Sequence, residues 1–376
     1  MTIHWSLGLS VLMVTAAAAA AAGDVLPRIA FEDFAGGTGE SVREIVRAEL
    51  ARTGRFREGA SPQGWMVRAS SSAGRIDGAL VSAGGAMVFN NQYDRIDLRD
   101  NAHAFADDIV AAVTGEPGIA LSRIAFVSDR SGAKEVYLCD SDGQRIEQVT
   151  QEGGICGAPA LSPGSVFLAY TGYESGFADV YLVNLSRGDR RRIISAPGTN
   201  SGAAFSPDGT RLALTMSHGG TPDIFVTLMG GGRQELLMAS RAVEASPTWS
   251  PDGQHLVFVS DATGAPQLYL CSRRKRKPER IDTGWARCTA PDWSPDGQRI
   301  AFTGWRGEKR SVVVCDLETA VVKEVMSGAE DPVWAPDGRH LAAVQGGAIV
   351  TLNTVTGEKR RLVTGMGRVS EPTWSR

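Results

Sequence analysis

A single motif recurs down this chain on a nearly fixed count. Leu161-Ser-Pro-Gly164, Phe205-Ser-Pro-Asp-Gly209, Trp249-Ser-Pro-Asp-Gly253, Trp293-Ser-Pro-Asp-Gly297 and Trp334-Ala-Pro-Asp-Gly338 begin 44, 44, 44 and 41 residues apart. A partial copy, Trp374-Ser375, follows 40 residues later. Self-similarity at this period means one supersecondary unit stacked many times. That constraint decides the fold of most of the chain before any other residue is read.

Aligned on the motif, each copy shows four strand signals. Pro-x-Trp or Pro-x-Phe patterns lead into the turn, and an apolar strand follows, as in Arg211–Leu214, His255–Phe258, Arg299–Phe302 and His340–Ala343. A third strand follows at Val136–Asp140, Val180–Asn184, Ile224–Leu228, Leu268–Ser272, Val312–Asp316 and Ile349–Asn353. A polar fourth closes the unit at Arg145–Val149, Glu279–Thr283 and Arg360–Thr364. Four antiparallel strands per unit of this length make a β-propeller blade. Pro-Asp-Gly is turn chemistry, because Pro presets φ while Asp and Gly accept turn geometry. The recurring Trp is expected to pack between neighbouring blades.

The count predicts closure. Arg123–Phe126 is a second-strand signal with no first strand before it, and Glu371–Trp374 is a first strand with nothing after it. The C-terminal strand therefore completes the first of six blades. In such a ring the turns between strands 1 and 2 share one face with those between strands 3 and 4. Loops between strands 2 and 3, and those entering strand 1, form the mouth of the central channel on the other face. Binding function concentrates in loops held on a rigid scaffold. The candidate partner-binding residues are therefore Thr199, Asn200, Ser201, Gly202, Glu244, Ala245, Arg287, Cys288, Glu330 and Glu371.

Residues 24–115 break the repeat and read as a small α+β domain, with the propeller spanning 119–376. Strands are expected at Arg28–Phe34, Trp65–Ser70, Ile76–Ser82 and Ala86–Asn90. One helix runs from Glu40 to Arg52 before Gly54, and a second is capped by Asp100 and ended by Gly115. Residues 1–22 carry no Asp, Glu, Lys or Arg and end in an Ala run, which reads as a secretory signal cut near Ala22. A membrane anchor is the rival reading, but its strongly apolar part falls short of the roughly 20 residues a span needs.

The five cysteines, Cys139, Cys156, Cys271, Cys288 and Cys315, include two pairs spaced 17 apart. The repeat explains the spacing without disulfides, since each Cys holds an equivalent blade position. Cys139, Cys271 and Cys315 read as small buried hydrophobes, and Cys156 and Cys288 as residues of loops at the other strand end. No CxxC pair or His cluster supports a metal site, and no cofactor is expected. A net charge of −3 gives no case for nucleic acid. The basic run Arg273–Lys277 sits in a turn on the face opposite the mouth. It reads as a solvated edge, or alternatively as a weak attractor of anionic lipid or polymer. No Gly-x-Ser-x-Gly elbow is present, so hydrolysis is not expected.

The sequence resembles the TolB family at Thr114-Gly-Glu-Pro-Gly-Ile119 followed by Ser122–Val127, and at Leu98–His103 with Asp107-Asp-Ile109 before them. That resemblance implies a monomeric periplasmic component of the Tol–Pal system, serving outer-membrane integrity and division. It also implies that the mouth holds the peptidoglycan-associated lipoprotein Pal, with Thr199, Gly202 and Ala245 on that face. A flexible N-terminal segment usual in the family for the inner-membrane partner TolA is here reduced to Gly23–Leu26, which puts TolA binding in doubt. The alternative is a secreted propeller hydrolase or a sugar- or polymer-binding protein.

Overall fold

The computed structural model describes residues 26–32, 34–218 and 220–375. The expected signal and the Gly23–Val25 stretch lie outside them. Among the described residues no helix is long and apolar enough to cross a membrane. The chain divides into two compact units, Met1–Pro117 and Gly118–Arg376.

In the first unit the elements run β1 (Arg28–Phe31), α1 (Gly39–Thr53), β2 (Arg57–Glu58), β3 (Trp65–Ser72), β4 (Arg75–Val81), β5 (Met87–Tyr93) and α2 (Leu98–Thr114). The sheet order is β2-β1-β3-β4-β5. Val42, Val46 and Leu50 of α1 and Phe105, Ile109 and Val110 of α2 are buried. Gly78 is required where α2 crosses β4, since a Cβ there would meet the Phe105 ring at 2.8 Å. Both helices end on a left-handed glycine, Gly54 and Gly115. The N-cap of α2 is Asp97 rather than Asp100: the Asp97 carboxylate accepts from the Asp100 N–H at 2.8 Å. A cap must precede the helix with an extended backbone, and Asp100 is already inside the first turn.

The second unit is a ring of six four-stranded sheets. Blade 1 pairs Val369–Trp374 with Arg123–Ser128, so the last strand is the inner strand of the first blade. The remaining inner strands are Cys156–Leu161, Asn200–Phe205, Glu244–Trp249, Arg287–Trp293 and Ala329–Trp334. The six touch in sequence around the axis and return to the first. Outermost strands are short, down to Glu147–Gln148 in blade 1 and Pro278–Arg280 in blade 4. The expected fourth strands of blades 1 and 4 are thus cut short, whereas that of blade 6 keeps five residues, Lys359–Val363.

Apolar residues form a separate core at each of the six blade interfaces. Trp249 packs on Ala213, Ile224 and Val226 of the preceding blade, and its Nε1–H donates to Ala204 O at 3.0 Å. Trp334 packs in the same way on Ala301 and Val312. The Ser-Pro-Asp-Gly turns are stitched by polar bonds. Ser206 Oγ accepts from the Arg211 N–H at 3.0 Å, and Asp208 Oδ1 accepts from the Thr210 N–H at 3.0 Å. The Ser206 hydroxyl, donating to Asp208 Oδ1 at 2.6 Å, and then the Thr210 N–H hold the Asp208 carboxyl down at about 2. Blade 6 has Ala335 in place of the serine, and there Asp337 Oδ1 takes the His340 N–H at 3.0 Å while Oδ2 meets His340 Nδ1 at 2.7 Å.

Closure repeats this chemistry without a covalent turn. Ser375 Oγ accepts from the Arg123 N–H at 2.9 Å, and the Ser375 N–H donates to Arg123 O at 2.9 Å. The same two bonds join Ser206 to Arg211 within blade 3. Trp374 is 3% exposed, and its Nε1–H donates to Ser122 Oγ at 2.7 Å. Trp374→Ala should cost about 3–5 kcal/mol, the usual range for emptying a buried aromatic site. Removal of 369–376 should abolish the single cooperative transition of the ring. Urea melts followed by circular dichroism test both, and an unchanged midpoint would refute the closure.

Candidate functional site

The six inner strands surround a channel of 530 Å³. Each strand breaks its pairing with the second strand at the same place. The residue at the break has a positive φ in every blade: Ala158, Gly202, Ser246, Ala290, Asp331 and Glu371. Only Gly202 adopts this conformation cheaply, and a non-Gly residue there costs about 1–2 kcal/mol. Pro159, Pro247, Pro291, Pro332 and Pro372 follow five of the six. A bulge takes residues out of the ladder, and proline brings no N–H that would then be orphaned.

The N–H of the positive-φ residue itself needs an acceptor, and two solutions are visible. In two blades a threonine on the second strand of the preceding blade accepts: Thr171 Oγ1 takes Gly202 N–H at 3.3 Å, and Thr303 Oγ1 takes Asp331 N–H at 2.9 Å. Blades 6 and 1 have Val344 and Val127 at that register position. In those blades the positive-φ residue is acidic and does the work. Asp331 Oδ2 accepts from Glu371 N–H at 3.3 Å, and Glu371 Oε2 accepts from Ala158 N–H. This relay gathers negative charge on one wall of the channel. Burial, then the charges of Glu330 and Glu371, push the Asp331 carboxyl up to about 6.

All ten sequence-derived mouth residues lie at or near the start of an inner strand, but they differ in availability. Thr199 is exposed, with its N–H bonded to Ser217 Oγ at 2.8 Å. Ser201, Gly202, Ala245 and Glu330 are partly exposed, and Arg287 and Glu371 are exposed. Glu330 pairs with Arg310 at 3.0 Å. Asn200, Glu244 and Cys288 are buried at 0%, 2% and 0%. They lock neighbouring elements and present no surface. Asn200 Nδ2 donates to Ala178 O at 3.0 Å and Ala196 O at 2.7 Å. Glu244 Oε1 accepts from Ser240 and Ser260 Oγ at 2.7 and 3.1 Å, while burial and the neighbouring Asp223 raise its pKa.

The loop placement of Cys156 and Cys288 is corrected too. Both sit within inner strands and are fully buried, and all five cysteines are free thiols. Their pKa values are raised, chiefly by burial. Sequence reasoning missed Asp331, although its signal was present: a Ser-, Ala-, Asp- or Glu-Pro step precedes each of Trp249, Trp293, Trp334 and Trp374 at constant distance. On the opposite face, two cations of the basic run are tied to neighbours. Arg273 lies 5.4 Å from the Trp249 ring centre, and Arg276 pairs with Glu235.

Comparison with known proteins gives a consistent picture. Residues 110–376 match the family model described as the TolB beta propeller domain. A protein TolB homolog of Chlorobium chlorochromatii (strain CaD3) is 40% identical over 109 residues, 28% of this chain and 25% of that protein. The Tol-Pal system protein TolB of Geobacter metallireducens is 49% identical over 67 residues, 18% of this chain and 16% of that one. The matched stretch thus spans a quarter or less of these curated relatives. The crystal structure of TolB from Acinetobacter baumannii has a TM-score of 0.81 at 25% identity, covering 94% of this chain and 97% of that one. A chain of a nidogen/laminin complex shares the propeller fold alone, with a TM-score of 0.57 at 10% identity, covering 68% of this chain and 98% of that one.

The raised Asp331 pKa has a signed consequence. Its ordinary value is 3.8 and its folded value about 6, so the folded state binds this proton more tightly. The stability this contributes is full below 3.8 and is lost as pH rises through about 6. Asp331→Asn keeps an acceptor for Glu371 N–H and cannot ionise. It should stabilise the protein by about 1–3 kcal/mol above neutral pH and by almost nothing near pH 4. Denaturant titrations at the two pH values decide it; a gain that is equal at both would contradict the assignment.

Proposed function

The chain belongs to the TolB β-propeller family, and on that premise we propose that it is a periplasmic, non-catalytic component of the Tol–Pal system. Its mouth face holds a Pal-like lipoprotein and so supports outer-membrane integrity and cell division. The observation that carries this reading is the contrast between the ring and its rim. The ring is over-determined by six interface cores and a bonded closure, while the rim offers irregular exposed residues such as Thr199 and Glu371. A rigid scaffold with variable rim loops docks a partner without spending free energy on ordering itself.

A stable protein complex buries about 800 Å² on each partner, an area that one propeller face supplies. The contact set is narrower than the strand starts as a group. In this reading Thr199, Ser201, Gly202, Ala245, Arg287, Glu330 and Glu371, which are exposed or partly exposed, touch the partner, and the buried Asn200, Glu244 and Cys288 shape the wall behind them. Export to the periplasm fits the charge-free N-terminal stretch, and a monomer fits a ring that leaves no inner edge unpaired.

Thr199→Arg and Ala245→Arg should each weaken binding of the Pal-like lipoprotein by about tenfold or more, the effect of one misplaced charge at an interface. The melting temperature should stay at the parent value, because neither side chain belongs to an interface core. Calorimetric titration with the lipoprotein's soluble domain reads the first and differential scanning the second. Unchanged affinity in both variants would remove the mouth face as the docking surface.

A further inference from the structure

Blade 5 departs from the repeat where blade stacking does not ask for it. In blades 1, 2 and 4 the six residues between the second and third strands (129–134, 173–178 and 261–266) lie outside the ladder. In blade 6 this connection is reduced to Gly346-Gly347. In blade 5 the corresponding residues extend the hairpin: Trp305 pairs with Arg310 and Arg306 with Lys309, leaving Gly307 (φ +62) and Glu308 as the turn. On its other side Trp305 pairs with Arg287 of the inner strand.

Arg287, Trp305 and Arg310 therefore form a cross-strand row at the channel mouth. The Arg287 and Arg310 guanidinium carbons lie 5.2 and 6.0 Å from the Trp305 ring centre. The indole is held by a bond from Nε1–H to Thr289 Oγ1 at 3.3 Å. Arg306 stacks at 4.0 Å on Trp285. Arg310 pairs with Glu330, but among the described residues no ion pair involves Arg287, Arg306 or Lys309. Trp305 belongs to none of the interface cores. The rim thus carries three cations without an ion-pair partner, Arg306 and Lys309 on the hairpin and Arg287 on the inner strand beside it.

We propose that this rim is the docking point for an acidic peptide segment of the partner protein, a step that rests on the mouth face being the docking surface. Stacking occupies the flat face of a guanidinium and leaves its in-plane N–H groups open, which is the geometry that grips carboxylates two bonds at a time. With guanidinium groups from both neighbouring strands on its indole, Trp305 is already engaged, so the site reads carboxylates rather than stacking a sugar ring. Fixing the arginines on aromatic rings removes much of the ordering cost that mobile surface cations incur on binding.

The test uses a fluorescein-labelled oligo-glutamate peptide of about ten residues, followed by anisotropy on the full chain. The expected result is salt-sensitive binding that falls about tenfold or more in Arg287→Ala/Arg306→Ala, as expected for losing charge-assisted contacts. The melting temperature of the double variant should match the parent. Equal affinity of parent and double variant overturns the proposal. So does binding that depends on Arg287 and Arg306 for phosphatidylglycerol vesicles or soluble peptidoglycan fragments but not for the peptide. The two readings fail separately. Loss of peptide binding here, with lipoprotein affinity intact in Thr199→Arg and Ala245→Arg, would keep the rim as a carboxylate-binding site but reject the mouth face as the lipoprotein's docking surface, and with it the assignment of the peptide to that partner. The reverse pattern would reject only the rim.

Discussion

Two hydrogen bonds between Ser375 and Arg123, and the burial of Trp374 beside them, hold the propeller shut. An open stack of blades would expose the apolar face of a sheet at each end and two rows of unpaired backbone groups. Closing the ring removes both liabilities. It also fixes the channel, since the inner strands are held at a common radius only when all six are present. The bonds that do this are the ones each Ser-Pro-Asp-Gly turn makes locally, here made between residues separated by almost the whole propeller. The ring is thereby a repeat in which one unit is split across the two ends of the propeller.

The channel inherits a second constraint from the repeat. Each inner strand must narrow toward the axis, and the chain answers with a bulge and a left-handed residue in every blade. The resulting N–H groups point where water or side chains must satisfy them. Threonine is the simple answer on the second strand of some blades. Val127 and Val344 forgo it, and Glu371 and Asp331 compensate. Acidic character on one side of the channel is in this sense a backbone requirement first. The basic rim of blade 5 stands against that acidic wall, with Arg310 and Glu330 bridging them, so the mouth is electrically two-sided.

Blade number, ring closure, the Trp positions and the faces on which loops lie were legible in the sequence, because they follow from period and strand count. What was not legible depends on which atoms a side chain meets. Glu244 and Cys288 fall at mouth positions by count, yet the neighbouring blade covers them. The α2 cap shifted from Asp100 to Asp97 because the Asp-x-x-Asp spacing offers two acidic candidates, and only backbone conformation separates them. Five of the six bulges were written as a residue-Pro step three residues before the end of the inner strand. Their conformation was hidden because Ala158, Ala290 and Glu371 carry no glycine-like signature. Trp305 escaped notice because it belongs to one blade and no comparison within the repeat marks it.

The split blade also dictates an order of assembly. During synthesis Arg123–Gln148 emerges before blades 2 to 6, and its inner partner, Val369–Trp374, only after them. Blades 2 to 6 form from contiguous chain, and blade 1 waits as three strands with one long edge unpaired. The pairing of Arg123 with Ser375, 252 positions apart in sequence, therefore forms after the contacts within blades 2 to 6, and contacts of that kind are the slow ones. Until the final strand docks, the nascent protein presents an open sheet edge of the sort that recruits neighbouring chains. A lost C-terminal strand would thus do more than weaken a finished ring: it would leave the chain permanently in its most association-prone stage.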